Sequence, residues 1–170
     1  MPHKRLLPYR SDTLLRQDVY SRLFEYAPLR VDLPGITIHP IDGVVWLHGY
    51  VSSSGARRMA EDRARGAKGL TALHNELTSD DALAAAISMA LAHDPGVDKR
   101  QQIGVYPRLG VVYLRGSVRT LAARERAGAV ALASSIARQV VNELRITPSI
   151  EALSVMANVT NQPDLVPDGS

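Results

Sequence analysis

Two stretches of the chain carry apolar residues at helical spacing. Leu15, Val19 and Leu23 recur at i, i+4, i+8, and so do Leu83, Ile87 and Leu91. Each run follows a pair suited to capping a helix N-terminus, Ser11-Asp12 and Ser79-Asp80, and is stopped by Pro28 or by Pro95-Gly96. The period then changes from helical to alternating. Ile36 and Ile38, or Ile103 and Val105, predict a short strand, and Val44-Val45-Trp46-Leu47 or Val111-Val112-Tyr113-Leu114 begins a second. The two-residue links between them, Asp42-Gly43 and Leu109-Gly110, make each pair a hairpin, with Asp-Gly the stronger turn signal. Gly49 and Gly116 fall inside the second strands, where glycine marks a bulge or a close backbone approach. Ser52-Ser53-Ser54 and Thr120 offer caps for a further helix, predicted to run to Lys68 and to Ser135. Leu73, Asn75 and Leu77, or Val140, Asn142 and Leu144, close each pattern as a strand.

The two patterns are one pattern repeated. A shift of 67 positions lays Gly43-Val44-Val45-Trp46-Leu47-His48-Gly49 on Gly110-Val111-Val112-Tyr113-Leu114-Arg115-Gly116. Under the same shift Ala56-Arg57 falls on Ala123-Arg124, and Asn75-Glu76-Leu77 on Asn142-Glu143-Leu144. The fold class read from this is α+β: two tandem α-β-β-α-β units, each a small three-stranded mixed sheet covered by two helices. The divisions are a basic N-terminal segment (1–10), repeat 1 (11–78), repeat 2 (79–147) and a C-terminal tail (148–170). Units this small bury limited cores, so the copies are expected to lean on each other.

These residues resemble the BON domain, named for bacterial OsmY and nodulation proteins. The resemblance rests on Asp42-Gly43-Val44-Val45-Trp46-Leu47-His48-Gly49-Tyr50-Val51 with Leu73-His74-Asn75-Glu76-Leu77, and on the matching run from Gly110 to Val118 with Val140 to Leu144. Gly43, Gly49, Gly110, Gly116, Asn75 and Asn142 are its structural motif, and mark a fold rather than a reaction. The resemblance implies a non-catalytic binding module without a cofactor. Tandem members are typically bacterial envelope proteins that bind phospholipid surfaces. Other BON units accompany binding domains, including cytoplasmic ones, one kind of which binds potassium.

Composition narrows the chemistry. With 45% hydrophobic and 22% charged residues a long disordered body is not expected, and with no cysteine neither disulfides nor thiolate chemistry are available. Residues 1–78 hold 11 Lys/Arg against 8 Asp/Glu and residues 79–150 hold 9 against 6, whereas 151–170 hold no base and 3 acids. No stripe is basic enough for a dedicated nucleic-acid binder, so nucleic acid is not an expected partner. The N-terminus shows no apolar signal core and no run is long enough to span a bilayer. As written the chain reads as cytoplasmic, with a periplasmic or membrane-associated place the alternative if its start is incomplete.

No catalytic constellation is visible. His3, His39, His48, His74 and His93 are dispersed, so no metal site is expected and solvated strand histidines are the default. Gly66-Ala67-Lys68-Gly69 matches a nucleic-acid clamping G-x-x-G, but a glycine helix stop explains it better. Arg57–Glu61 and Arg58–Asp62 stand at i, i+4 and predict a self-paired face. The excess, Arg63, Arg65 and Lys68 together with Lys4, Arg5 and Arg10, is a candidate contact for anionic headgroups. The sharper signal is in repeat 2: Ala82 to Ala92 carries no charge on any face, and Ala127 to Ile136 carries none either. Such a helix is normally docked, against the other copy or in a homodimer. The functional alternative makes Leu83, Ile87 and Met89 a lipid- or partner-binding surface. The expected function is therefore binding, to an anionic membrane surface or an envelope-associated protein partner. The alternative is a cytoplasmic ligand- or ion-sensing or protein-interaction module.

Overall fold

The computed structural model describes residues 11–133 and 136–147. The basic segment 1–10, Ser134-Ser135 and the tail 148–170 lie outside the described residues. Unit 1 comprises α1 (Asp12–Glu25), β1 (Ile36–Ile41), β2 (Val44–Val51), α2 (Ser54–Ala64) and β3 (Ala72–Ser79). Unit 2 repeats the order in α3 (Asp80–His93), β4 (Gln102–Arg108), β5 (Val111–Val118), α4 (Leu121–Ala133) and a closing strand in two pieces, β6 (Gln139–Asn142) and β7 (Arg145–Ile146). In each sheet the first two strands are antiparallel and the third lies parallel to the second. The helices cover one face. Leu15, Val19 and Leu23 of α1, Ala60 and Ala64 of α2, and Val45, Leu47 and Val51 of β2 form the first core. Leu83, Ile87, Leu91, Ala127, Ala131, Val112, Leu114 and Val118 form the second.

The signals at the hairpins act as physical chemistry requires. Both turns place two consecutive residues at positive φ, Asp42 at 49° and Gly43 at 84°, Leu109 at 46° and Gly110 at 82°. Gly49, at φ 115°, lets Gly35 cross so closely that a Cβ there would lie 2.0 Å from the Gly35 carbonyl oxygen. Asn75 and Asn142 tie strand to helix. The side-chain amide of Asn75 donates to the Arg57 carbonyl at 3.1 Å, and the Arg57 guanidinium returns a bond to the Asn75 carbonyl at 3.1 Å. Asn142 and Arg124 make the same exchange, at 2.7 and 3.1 Å.

Several expectations need correction. α2 ends at Ala64, not Lys68, because successive tight turns draw the chain down to bury Ala67, and Gly69 then turns at φ 86°. Ser79 precedes α3 without capping it through its side chain; its hydroxyl instead meets the Ser54 hydroxyl at 3.1 Å. The closing strand of unit 2 breaks at Glu143-Leu144, where the Leu144 N–H bonds the Asn142 side chain, and resumes in the same register.

The units meet without a linker, since β3 ends at Ser79 and α3 begins at Asp80. Asp80 is buried and accepts from the N–H groups of Leu109 (2.7 Å) and Gly110 (3.1 Å), holding the hairpin turn of unit 2. Asp81 accepts from the Ser54 N–H and hydroxyl, both at 2.9 Å, at the first residue of α2. Tyr50 of β2 packs its ring over Gly110 and donates its hydroxyl to the Ile136 carbonyl at 2.5 Å, with the Arg138 guanidinium 5.3 Å from the ring centre.

Candidate functional site

The uncharged helix α3 is not covered by the other copy. Leu83 and Ile87 are buried in the core of unit 2 and unavailable to any surface, which corrects the expectation that they line one. They fall on the inward stripe, and Met89 does not: it is 62% exposed. Ala82, Ala85, Ala86 and Ala92 are exposed beside it. Ala86, Met89, Ala90 and His93 recur at three- and four-residue spacing and so share one flank of the helix. Next to that flank lies a groove of about 480 Å³ against α4, lined by Ala90, Ala129, Val130 and Ala133. One end is closed by a two-pronged ion pair, Arg126 Nε and Nη2 on Asp94 at 3.0 and 2.7 Å. That pair holds the Asp94 carboxyl below its ordinary range, with the Arg126 hydrogen bond as the leading cause.

Of the basic residues expected to join this surface, Lys4, Arg5 and Arg10 lie outside the described residues, and Arg63, Arg65 and Lys68 belong to unit 1. Arg63 lies over the Tyr26 ring, 4.4 Å from its centre. Arg65 is paired with Glu61, which also accepts from Asn75 at 3.0 Å. The expected Arg57–Glu61 pairing gives way to this arrangement because Arg57 is turned to the Asn75 carbonyl. Lys68 donates its main-chain N–H to Asp18 at 2.8 Å. The helical face of unit 2 is thus apolar without a cationic fringe from Arg63 or Arg65.

The open sheet face of unit 1 gathers three of the histidines. His39 and His48 meet edge to face with ring centres 5.4 Å apart, His74 stacks on Trp46 at 5.1 Å, and His48 Nδ1 lies 3.0 Å from Glu76. Among the described residues no three metal-ligating side chains converge, and no helix is long and apolar enough to cross a membrane. Pattern reading takes Asp80 for a helix cap and gives Tyr50 and Asp81 no part in joining the units. The signal for the two aspartates is the absence of any linker between the closing strand of repeat 1 and the first helix of repeat 2.

Two α-β-β-α-β units joined end to start, with small-residue helical faces and no assembled reactive group among the described residues, define a tandem α+β module. The model of the BON domain matches residues 11–78 and again 79–148, and the chain belongs to that family. Among solved structures the chain is similar to CdsD, a structural protein of the type III secretion system of Chlamydia trachomatis. TM-score is 0.68 at 19% identity, over 91% of this chain and 71% of that one. The C-terminal domain of CdsD aligns with TM-score 0.65 at 17% identity, over 82% and 68%. These likenesses are of fold. A comparison with curated proteins finds no match.

Proposed function

We propose that the protein is a non-catalytic docking module whose α3–α4 groove receives an apolar helix of a protein partner. The observation that carries this reading is the exposed, uncharged flank of α3 around Met89, continuous with a groove floored by alanine and valine. Small side chains let a second helix approach closely, and about three turns of apolar flank match the i, i+3, i+4 anchors of helix-in-groove recognition. Insertion into an anionic bilayer asks instead for bulky apolar side chains bordered by basic ones, and this flank has Met89 alone and no base from Ala82 to Ala92. The structural role of CdsD in its secretion system agrees with a module that binds rather than reacts.

The test is a photo-crosslinking residue at Met89 in the full chain, expressed in its native cells. A discrete protein adduct that disappears with Ala129→Glu is expected, and vesicles of anionic lipid do not co-float with the protein. Co-flotation that depends on Met89 would replace the partner with a membrane, and no adduct with either readout would sink the idea.

A further inference from the structure

Unit 1 carries a second opening, between α1 and β1, whereas α3 contacts α2 and β3. β1 is the edge of its sheet: among the described strands it pairs only with β2. Beside that edge, against α1, lies a crevice of about 490 Å³. Its walls are Tyr20, Ile36 and Ile38, with Arg16, Thr37 and His39 around them and no carboxylate among the lining residues. Arg16 makes no hydrogen bond or ion pair among the described residues, whereas Arg22 of the same helix is paired with Asp18 at 3.3 Å. The matching crevice of unit 2, between α3 and β4, contains Asp98 beside Lys99 and so has no such unbalanced charge.

From these features we propose that the α1–β1 crevice takes an extended peptide of a partner protein, which adds to the edge of β1 as a strand. The peptide is apolar at alternate positions and carries a carboxylate opposite Arg16. A strand edge supplies main-chain hydrogen bonds without regard to sequence, and the period of two sends every second side chain of the added strand toward α1. There Tyr20, Ile36 and Ile38 reward an apolar residue. Arg16, without a partner among the described residues, selects an acidic one and rejects a basic one. Pro40 offers no N–H, which is tolerated on an edge strand and confines pairing to the Ile36–His39 half of β1. This site is in unit 1 and stands apart from the α3–α4 groove.

The probe is the acetylated heptapeptide Thr-Val-Thr-Glu-Thr-Val-Thr (Val-Glu), whose Val and Glu side chains share one face of a strand, set against its Val-Lys counterpart with Lys in place of Glu, titrated into the full chain and followed by backbone NMR. The Val-Glu peptide is expected to bind and to shift amides of β1 and of the Arg16–Tyr20 turn. Arg16→Glu should weaken it by about tenfold and reverse the preference toward Val-Lys. Arg16→Gln should remove the preference without reversing it, and Ala129→Glu should leave both peptides unaffected. Equal binding of the two peptides, shifts centred on α3, or an unchanged preference in Arg16→Glu would overturn the proposal. So would contacts of residues 151–170 with β1 in the free protein, which would make the tail the occupant.

Discussion

At the scale of single residues, the two hairpin turns are alike in backbone but not in surroundings. A Cβ at Gly43 would stand 3.1 Å from the Gly69 carbonyl and the Thr71 hydroxyl, whereas one at Gly110 would stand 2.5 Å from the base of the Tyr50 ring. That ring is fixed by its hydroxyl bond to Ile136, so it cannot simply swing away. Both substitutions by alanine incur about 1 kcal/mol for a positive φ. Gly110→Ala adds displacement of Tyr50 and should cost at least about 1 kcal/mol more than Gly43→Ala in urea denaturation. The Asn75 clasp makes a second residue-scale test. Asn75→Ala leaves the Leu77 N–H and the Arg57 carbonyl without their partner, so a loss of about 1–3 kcal/mol is expected. Asn142→Ala should cost less, since Asn75 also donates to Glu61, which holds that carboxyl below its ordinary range. Equal losses would show that the Glu61 bond contributes nothing.

At the scale of elements, most of each unit is legible in sequence because local period and turn chemistry agree with the tertiary outcome. Leu15, Val19 and Leu23 are spaced for one helix face and are buried on it; Asp42-Gly43 is a turn pair and turns. What periodicity does not encode is what an element meets at its ends. Asp80 looks like a capping residue, yet its carboxylate holds the hairpin turn of unit 2 and that of its neighbour Asp81 holds the start of α2. Likewise the uncharged α3 looks like a docked helix, since pattern alone gives its inward stripe but cannot say whether the remaining face finds a cover. The end contact at Asp81 has a pH signature. Its carboxyl is lowered to about 2, first by the Ser79 hydroxyl and then by the Ser54 N–H, from an ordinary 3.8. A folded-state value below the unfolded one stabilises at pH above the unfolded value and is lost as pH falls through the folded one. Against Asp81→Asn, the native protein should therefore hold a constant advantage above about pH 5 that closes between about pH 4 and pH 2. An advantage that survives at the acid end would assign the contact to something other than the ionised carboxylate.

At the scale of the whole molecule, the question is whether two small cores make one folding unit or two. Each core comprises mainly Leu, Val, Ile and Ala, and a unit of this size buries too little surface to be robust by itself. The joint supplies what each lacks. Strand β3 passes into α3 with no intervening residue, Asp80 sets the turn of unit 2, and Tyr50 of unit 1 covers that turn. Leu109, held at positive φ where leucine is strained, also reaches toward Gly35 of unit 1, so that the turn is paid for partly from across the joint. Unfolding of unit 1 removes Tyr50 and the Ser54 partner of Asp81 together, which links the two equilibria. The native chain is thus expected to melt in one calorimetric transition, with equal calorimetric and van't Hoff enthalpies. Tyr50→Ala removes the ring, the bond to Ile136 and the stacking of Arg138, at a cost of about 1–3 kcal/mol, and should split the melt into two transitions. The transition that moves down should be that of unit 2, because Gly110 and Ile136 both belong to it. A single transition merely shifted in Tyr50→Ala would show that the direct β3–α3 connection couples the units without the tyrosine.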